Sequence, residues 1–415
     1  MTTSLHQPLT LPCGATLSNR IAKAAMSEGL ADSANRVTDA LINLYRHWAG
    51  SGAGLLLSGN VQVDGRHLER PGNLVIDDAD QQPGLRALAA AGTAGGAHFW
   101  LQLSHTGRQV DSSINQAPLG ASAVEIDFPR GLGYTFSPPR VMADADIDDV
   151  IARFAFAAGQ ARQAGFTGVQ LHAAHGYLIS QFLSPLSNTR TDRWGGSLEN
   201  RARLLLAVLA AVRAEVGPGF PVGIKLNASD FQKGGFSAAD CLQLVAMLND
   251  ASLDLLELSG GSLEQPKVVG LTLKDEGEDG HRPGANKREA YFVEFAGAVR
   301  AAARMPVMVT GGFRTLAGME QALANGELDV IGLGRPLIAE PDTPHGLLDG
   351  TLAMASAPES TMNVFAAIPW FSTQLTRLAV NGLPDKALSA DAAVAEFAAG
   401  EQRALAAMLA HRAAP

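Results

Sequence analysis

The sequence predicts an α/β fold: a (β/α)8 TIM barrel with an N-terminal β-hairpin, a long insertion after strand 3 and a C-terminal helical extension. Three observations carry this expectation. Short apolar runs, often β-branched, alternate with longer amphipathic segments, as parallel strands joined by helical crossovers do. There are eight such units, which favours a closed barrel over an open sheet. Helix start and stop residues fall where the alternation requires them.

The elements follow in order. Leu9–Leu17 reads as a hairpin around a Cys13-Gly14 turn, placed to plug the bottom of the barrel. The strands are expected at Ile21–Ala25, Leu55–Ser58, His98–Leu103, Val169–His172, Val222–Asn227, Leu253–Ser259, Val307–Thr310 and Val330–Leu333. Helical patterns cover Asp39–Ala49, Gly84–Ala94, Ile147–Ala164, Glu199–Val216, Ala238–Asn249, Ala290–Ala303 and Leu316–Ala324. Thr38 can cap the first helix, and Ser237 with Asp240 resembles a capping box. Gly165, Gly217 and Gly326 sit just past helix ends, where a left-handed residue is favoured.

Two stretches exceed a minimal barrel. Thr106–Asp146 carries Pro118, Pro129, Pro138 and Pro139, and Gly260–Asn286 follows the sixth strand. Insertions after strands belong to the active-site face. The organisation expected is a barrel over residues 1–345 and a helical extension over 346–415, packing on the barrel or on a neighbouring subunit. Within the extension, Asp391–His411 reads as an amphipathic helix.

Bulk properties exclude several classes. Of 415 residues, 47 % are hydrophobic, enough for a large core, and the net charge is −9 without a basic cluster. Nucleic-acid surfaces need concentrated Lys and Arg, so that class is disfavoured. No apolar run reaches the length of a bilayer span, and Met1–His6 lacks the features of a signal peptide. Cys13 and Cys241 are the two cysteines, too few for a four-cysteine iron–sulfur cluster and typical of a reducing compartment. A soluble, cytoplasmic protein is expected.

The chemistry-bearing residues concentrate at strand ends. His172, His175 and Tyr177 leave the fourth strand together. The pair of imidazoles has three readings: polar residues satisfied by backbone, metal ligands, or donors to a substrate oxygen. No third ligand is placed by sequence, and a phenol beside two donors suits reduction of a polarised double bond. Gly311 and Gly312 end the seventh strand and Gly334 with Arg335 the eighth, where backbone N–H groups and a guanidinium can hold a phosphate. Gln102 ends the third strand and Lys225 the fifth. Each is either a buried polar residue paired with a neighbour or a contact to a bound ring.

At these residues the chain resembles the Old Yellow Enzyme family of FMN-dependent ene-reductases, in the branch with bacterial members whose substrate site is His-x-x-His. The resemblance runs from Leu9 to Arg335. Its most specific stretch is Thr191–Arg201, joined by Asn19-Arg20-Ile21, Gln102–His105, His172–Tyr177, Asn227–Asp230, Thr310-Gly311-Gly312 and Gly334-Arg335. It implies non-covalent FMN and either NADH or NADPH as reductant. Backbone around Ala24, Ala25 and Met26 would flank the flavin, and Ser27 would lie near its C4=O, with Gly59 nearby. Gln102 would bond its pyrimidine edge and Lys225, where many relatives have Arg, its N1–O2 side. Gly311, Gly312, Gly334 and Arg335 would hold the phosphate.

The resemblance also implies that His172 and His175 grip the carbonyl oxygen of an α,β-unsaturated substrate while Tyr177 protonates Cα, with ping-pong kinetics. A second aromatic hydroxyl of some relatives is missing, because Gly29 lies near that place. Tyr134 or Phe136 of the insertion could line the pocket instead. A small-molecule enone is the expected partner, without nucleic acid or membrane, and a homo-oligomer is compatible with the sequence. Arg377 is a candidate for reaching a neighbouring subunit's site, or an exposed helix charge. Three other readings stay open: a barrel dehydrogenase acting oxidatively on amines or saturated carbonyl compounds, a flavin-binding module without turnover, and a metal-dependent barrel.

Overall fold

The computed structural model describes residues 4–128, 134–266, 273–275 and 293–414. Eight parallel strands close into a barrel. They are β1 (Ile21–Lys23), β2 (Leu55–Gln62), β3 (His98–Ser104), β4 (Gly168–Ala173), β5 (Val222–Asn227), β6 (Leu255–Ser259), β7 (Val307–Thr310) and β8 (Val330–Leu333). All eight expected strands are present in the expected order. Pairing of β8 with β1, Ile331 opposite Ile21, closes the ring.

Boundaries differ where polar residues intervene. β1 stops at Lys23 rather than Ala25. β2 continues past Ser58 to Gln62 through a bulge between Leu57 and Asn60. There Ser58 Oγ accepts the Gln102 N–H at 2.9 Å, so hydroxyl and amide groups carry the strand beyond its apolar run. The fourth strand's preceding helix begins at Asp144 rather than Ile147, with Asp144 and Asp146 in its first turn, where carboxylates suit the helix dipole. Thr38 Oγ1 caps Leu41 N–H, and Ser237 and Asp240 form the reciprocal capping box. Gly165 adopts φ +96°, the left-handed stop.

The bottom of the barrel is apolar and plugged. Leu9–Thr10 and Thr16–Leu17 form the antiparallel hairpin. Its Leu11 and Leu17 pack against the inward-facing Ala22, Leu55, Leu57, Trp100, Leu255, Met308 and Val330. Burying that many apolar side chains in one layer contributes several kcal/mol. The polar end of the barrel is therefore the opposite one.

The extension packs against the outer layer. Trp370, Phe371, Leu375 and Leu378, from the helix Val364–Asn381, join the main core. In the last helix, Ala390–Ala413, Met408 packs with Leu68 and Val75, and Arg412 donates to the Gly65 carbonyl at 2.5 Å. Arg377 pairs with Asp385 and with Glu396, at 2.8 Å for the latter. Its charge is thus engaged inside its own extension. The insertion after β3 runs over the top and contains a two-residue ladder, Leu119–Gly120 with Arg140–Val141. Pro129, the Gly260–Asn286 segment apart from 260–266 and 273–275, Met1–Thr3 and the first three residues of the helix expected at Ala290 lie outside the described residues. Among the described residues no helix is long and apolar enough to cross a membrane.

Candidate active site

At the open end the inward-facing side chains turn polar and form a continuous chain. Gln102 Nε2 donates to Gln170 Oε1 at 2.7 Å. Gln170 Nε2 donates to Glu257 Oε2 at 2.7 Å, and Glu257 Oε1 lies 2.8 Å from Lys225 Nζ. Strand register sets this layer: Gln102 stands opposite Gln170 and Lys225 opposite Glu257. All four are buried. A buried carboxylate is stable here because it is both ion-paired and hydrogen-bonded. The result is a polar shelf with donor and acceptor edges.

His172, next to last in β4, stands beside Lys225 of β5. Its Nδ1 accepts the Ala174 N–H at 3.2 Å, which fixes the proton on Nε2. Burial, then the neighbouring His175 and Lys225 charges, holds His172 well below the ordinary imidazole pKa. His175 adopts φ +61°, and its Nε2 meets Ser259 Oγ at 2.7 Å. Burial and Lys225 push it down to about 3. Both rings are neutral at physiological pH, so each carries one N–H. They meet edge to face, centroids 5.0 Å apart, and the Tyr177 ring stands 4.7 Å from His172. Tyr177 precedes the short helix Leu178–Leu183 and is locked by its N–H to Ala174 O.

The loop after β1 completes the wall. Ser27 Oγ lies 2.5 Å from Glu69 Oε2 and 3.0 Å from Asn60 Oδ1, and Asn60 Nδ2 donates to Glu69 Oε2 at 2.9 Å. Burial first, then the charge of this same Glu69, holds the Tyr177 phenol well above its ordinary pKa. Gly59, at the β2 bulge, donates its N–H to Glu28 Oε1 at 2.7 Å. A Cβ there would collide with the Glu28 carboxylate and stand 2.5 Å from the Met26 carbonyl. Glu28 also takes the Tyr45 hydroxyl, and Lys23 Nζ behind it donates to Leu57 O at 2.6 Å. Complete burial pushes Lys23 down to about 8.

Gly29 has φ +65°, and any side chain would run into the Arg70 guanidinium, 2.6 Å from its Nε. Arg70 fills that space, ion-pairs with Glu401 of the last helix at 2.5 Å and lies over the Phe397 ring. A cavity of about 370 Å³ lies beside these residues, bounded by Met26, Ser27, Glu69, Tyr134 and Arg335 and walled by Ile368, Phe371, Leu375 and Phe397. Tyr134 of the insertion is thus a lining residue, and the extension supplies the apolar wall.

At the ends of β7 and β8, Gly311 and Gly312 adopt φ +115° and +95°, conformations that glycine takes without strain. Gly334 faces Met26 across a gap where a Cβ would sit 3.4 Å from the sulfur. Arg335 and Arg314 converge on Glu359, Arg335 at 3.5 Å. The Thr310 Oγ1 and Ser356 Oγ atoms are buried and have no hydrogen-bond partner among the described residues. Strained-for-others glycines, two guanidiniums and orphaned hydroxyls are the features of an anion cradle.

Among the described residues, one group of three has metal-ligand spacing: Asp64, His67 and His105. Its tautomers oppose metal binding. His67 Nε2 accepts the Leu119 N–H and His105 Nδ1 accepts the Gly107 N–H, both at 3.0 Å. The nitrogens facing Asp64 therefore carry protons, whereas a metal-bound imidazole donates from its far nitrogen. The trio is a clasp between the loops after β2 and β3. His172 and His175 are engaged differently, as above, and among the described residues they form no ligand set with a third residue.

Comparison with known proteins agrees with this geometry. Residues 4–351 match the model of the NADH:flavin oxidoreductase / NADH oxidase family. An NADH-dependent flavin oxidoreductase, iccE, of Talaromyces variabilis is 35 % identical over 88 % of this chain and 92 % of its own length. The iliE protein of Neonectria sp., also an NADH-dependent flavin oxidoreductase, is 39 % identical over 81 % of this chain, which spans only 46 % of that relative. Morphinone reductase superposes with a TM-score of 0.70 at 26 % identity, covering 88 % of this chain and 93 % of its own. The chain belongs to the Old Yellow Enzyme family.

It is accordingly an oxidoreductase that uses FMN and NAD(P)H. The residues present fit that cofactor: a polar shelf for a ring edge, glycines at the barrel rim, and an anion cradle with unsatisfied hydroxyls. Of the residues the sequence points to, Gln102, Lys225, the two histidines, Tyr177 and the cradle glycines lie at one rim. It missed Asn60, Glu69, Gln170, Glu257, Arg314 and Glu359. A signal existed for two: Gln170 shares the inward face of His172 by two-residue periodicity, and Glu257 is a charge inside the apolar run Leu255–Leu258. Glu69 sits in a loop and Glu359 in the single 3-10 turn Pro358–Thr361, where no periodicity points inward.

Proposed function

We propose that this family member reduces the C=C bond of α,β-unsaturated carbonyl compounds. FMN, when bound, supplies hydride exchange between NAD(P)H and the substrate. The protein's own residues supply the rest. His172 Nε2–H and the His175 N–H hold the carbonyl oxygen and stabilise the charge that gathers there. Tyr177 delivers a proton at Cα. Gln102 and Lys225 bond the pyrimidine edge of the ring, Ser27 and the backbone of Ala24–Met26 flank it, and Gly59 leaves room beside it. Gly311, Gly312, Gly334 and Arg335 hold the phosphate. The observation that carries this reading is the pair of neutral imidazoles, one with its donor nitrogen fixed, in ring contact with a phenol. The extension covering 346–415 acts as a wall of the same pocket, and a small cytoplasmic enone is the partner that fits.

Anaerobic stopped-flow tests the reading. NAD(P)H should reduce the flavin rapidly, and a cyclohexenone-type enone should reoxidise it. Tyr177→Phe should slow the second half-reaction by about 10²-fold or more, the usual scale of general-acid catalysis, and leave the first nearly intact. Rapid reduction followed by no response to enones would remove the assignment. Equal damage to both halves would remove the role of Tyr177.

A further inference from the structure

The cavity beside the rim has two unlike sides. One is apolar and comes mainly from the C-terminal extension: Val364, Ile368, Phe371 and Leu375 from the helix Val364–Asn381, and Phe397 from the last helix. Ile368 lines the cavity yet is 52 % exposed, so apolar surface is left at the mouth for a guest to cover. The other side is polar. Glu69 borders the cavity and is half-buried. Its carboxylate is held by the Ser27 hydroxyl at 2.5 Å and the Asn60 amide at 2.9 Å, both neutral groups. Asn60 stands opposite Gln102 in the sheet, which ties this side to the rim. Two cations border the cavity as well, and both are engaged. Arg70 pairs with Glu401 at 2.5 Å and lies over the Phe397 ring, and Arg335 faces Glu359 at 3.5 Å in the anion cradle. Asn73 Oδ1 accepts the N–H groups of both Glu69 and Arg70, at 2.8 and 2.9 Å, and so fixes the backbone that carries the two side chains.

At about 370 Å³ the cavity has the size of a small-molecule site, typically about 300–1,000 Å³. Resting on the ene-reductase reading, we propose that it is the specificity subsite. It receives the part of the enone remote from the reacting carbons, and it selects a large apolar group that bears no negative charge. The apolar wall rewards size, at about fourfold in affinity for each methylene buried. Glu69 sets the sign. An ammonium or hydroxyl on the guest can donate to its carboxylate, whereas a guest carboxylate meets like charge while Arg70 is already matched by Glu401. The substrate class is therefore the aryl or long-alkyl enones, neutral or aminated.

Kinetics of the flavin-loaded enzyme test this. Cyclohexenone is the small substrate and benzylideneacetone the large one, the latter also with a para-aminomethyl or a para-carboxylate group. The wild type should prefer benzylideneacetone to cyclohexenone in kcat/KM. It should use the carboxylate about tenfold less well than the aminomethyl compound, or worse, as one like charge close by dictates. Ile368→Ala and Phe397→Ala should each lower the benzylideneacetone-to-cyclohexenone ratio by about fivefold or more. Ile368 is exposed enough for its truncation to keep the fold even where loss of Phe397 does not. Glu69→Gln should shrink the amine-over-carboxylate preference by about fivefold or more without lowering the size preference. Equilibrium dialysis of the saturated ketones, benzylacetone and its para-carboxylate, reads binding without turnover and should show the same losses. Size and charge ratios that survive these substitutions, with cyclohexenone still reduced, overturn the subsite and leave the ene-reductase reading standing. So does a fall in FMN affinity in Ile368→Ala with the substrate ratios intact, which assigns the wall to the flavin. A wild type that reduces no enone but binds the saturated ketones with these preferences instead sinks the ene-reductase reading and keeps the subsite.

Discussion

Individual side chains at the rim are set by what they give up elsewhere. His172 spends Nδ1 on Ala174, so Nε2 remains a donor, and Lys225 spends its charge on Glu257. The second trade has an electrochemical consequence. A cation beside a flavin's pyrimidine edge favours its anionic reduced form, and a carboxylate at 2.8 Å cancels much of that field. Glu257→Gln should therefore raise the midpoint potential of the bound flavin, read by dye-coupled reduction. A potential that stays or falls would show that Lys225 does not address the ring. The same pairing shows the reach of sequence reading. Lys225 was legible as a polar end to an apolar strand, but its partner across the sheet depends on register, which one strand alone does not reveal.

Among elements, the strands were the most legible, because a buried parallel strand must be apolar along its length. The β2 bulge was not legible, since it depends on Gly59 meeting Glu28 and Met26 from another loop. That contact predicts a sharp cost. Gly59→Ala forces the Glu28 carboxylate or the Met26 backbone to move, and overpacking of this kind costs about 1–3 kcal/mol. Chemical denaturation of the flavin-free protein should register that loss, and FMN affinity should fall with it. Unchanged stability and affinity would mean that the loop after β1 yields freely. The insertion after β3 was recognisable by its prolines and length, but its contribution of Tyr134 to the cavity follows from tertiary packing alone.

Over the whole molecule, burial of imidazoles couples folding to acidity. His105 is pushed down to about 4 and His175 to about 3, both chiefly by burial. Folded values below the unfolded one mean that the unfolded chain binds protons the folded chain refuses. Stability is therefore full above about pH 6.5, the ordinary imidazole value, and declines as pH falls below it. The denaturant midpoint should be lower at pH 5 than at pH 7.5, before most carboxylates titrate; a flat profile over that range would contradict the burial of these rings. The C-terminal helices have a different reach. They pin Arg70 through Glu401 and line the cavity with Phe371, Leu375 and Phe397, so the breadth of the pocket is set by a segment that supplies none of the barrel strands. Exchanging that segment alone offers a way to change which molecules are admitted without rebuilding the catalytic rim.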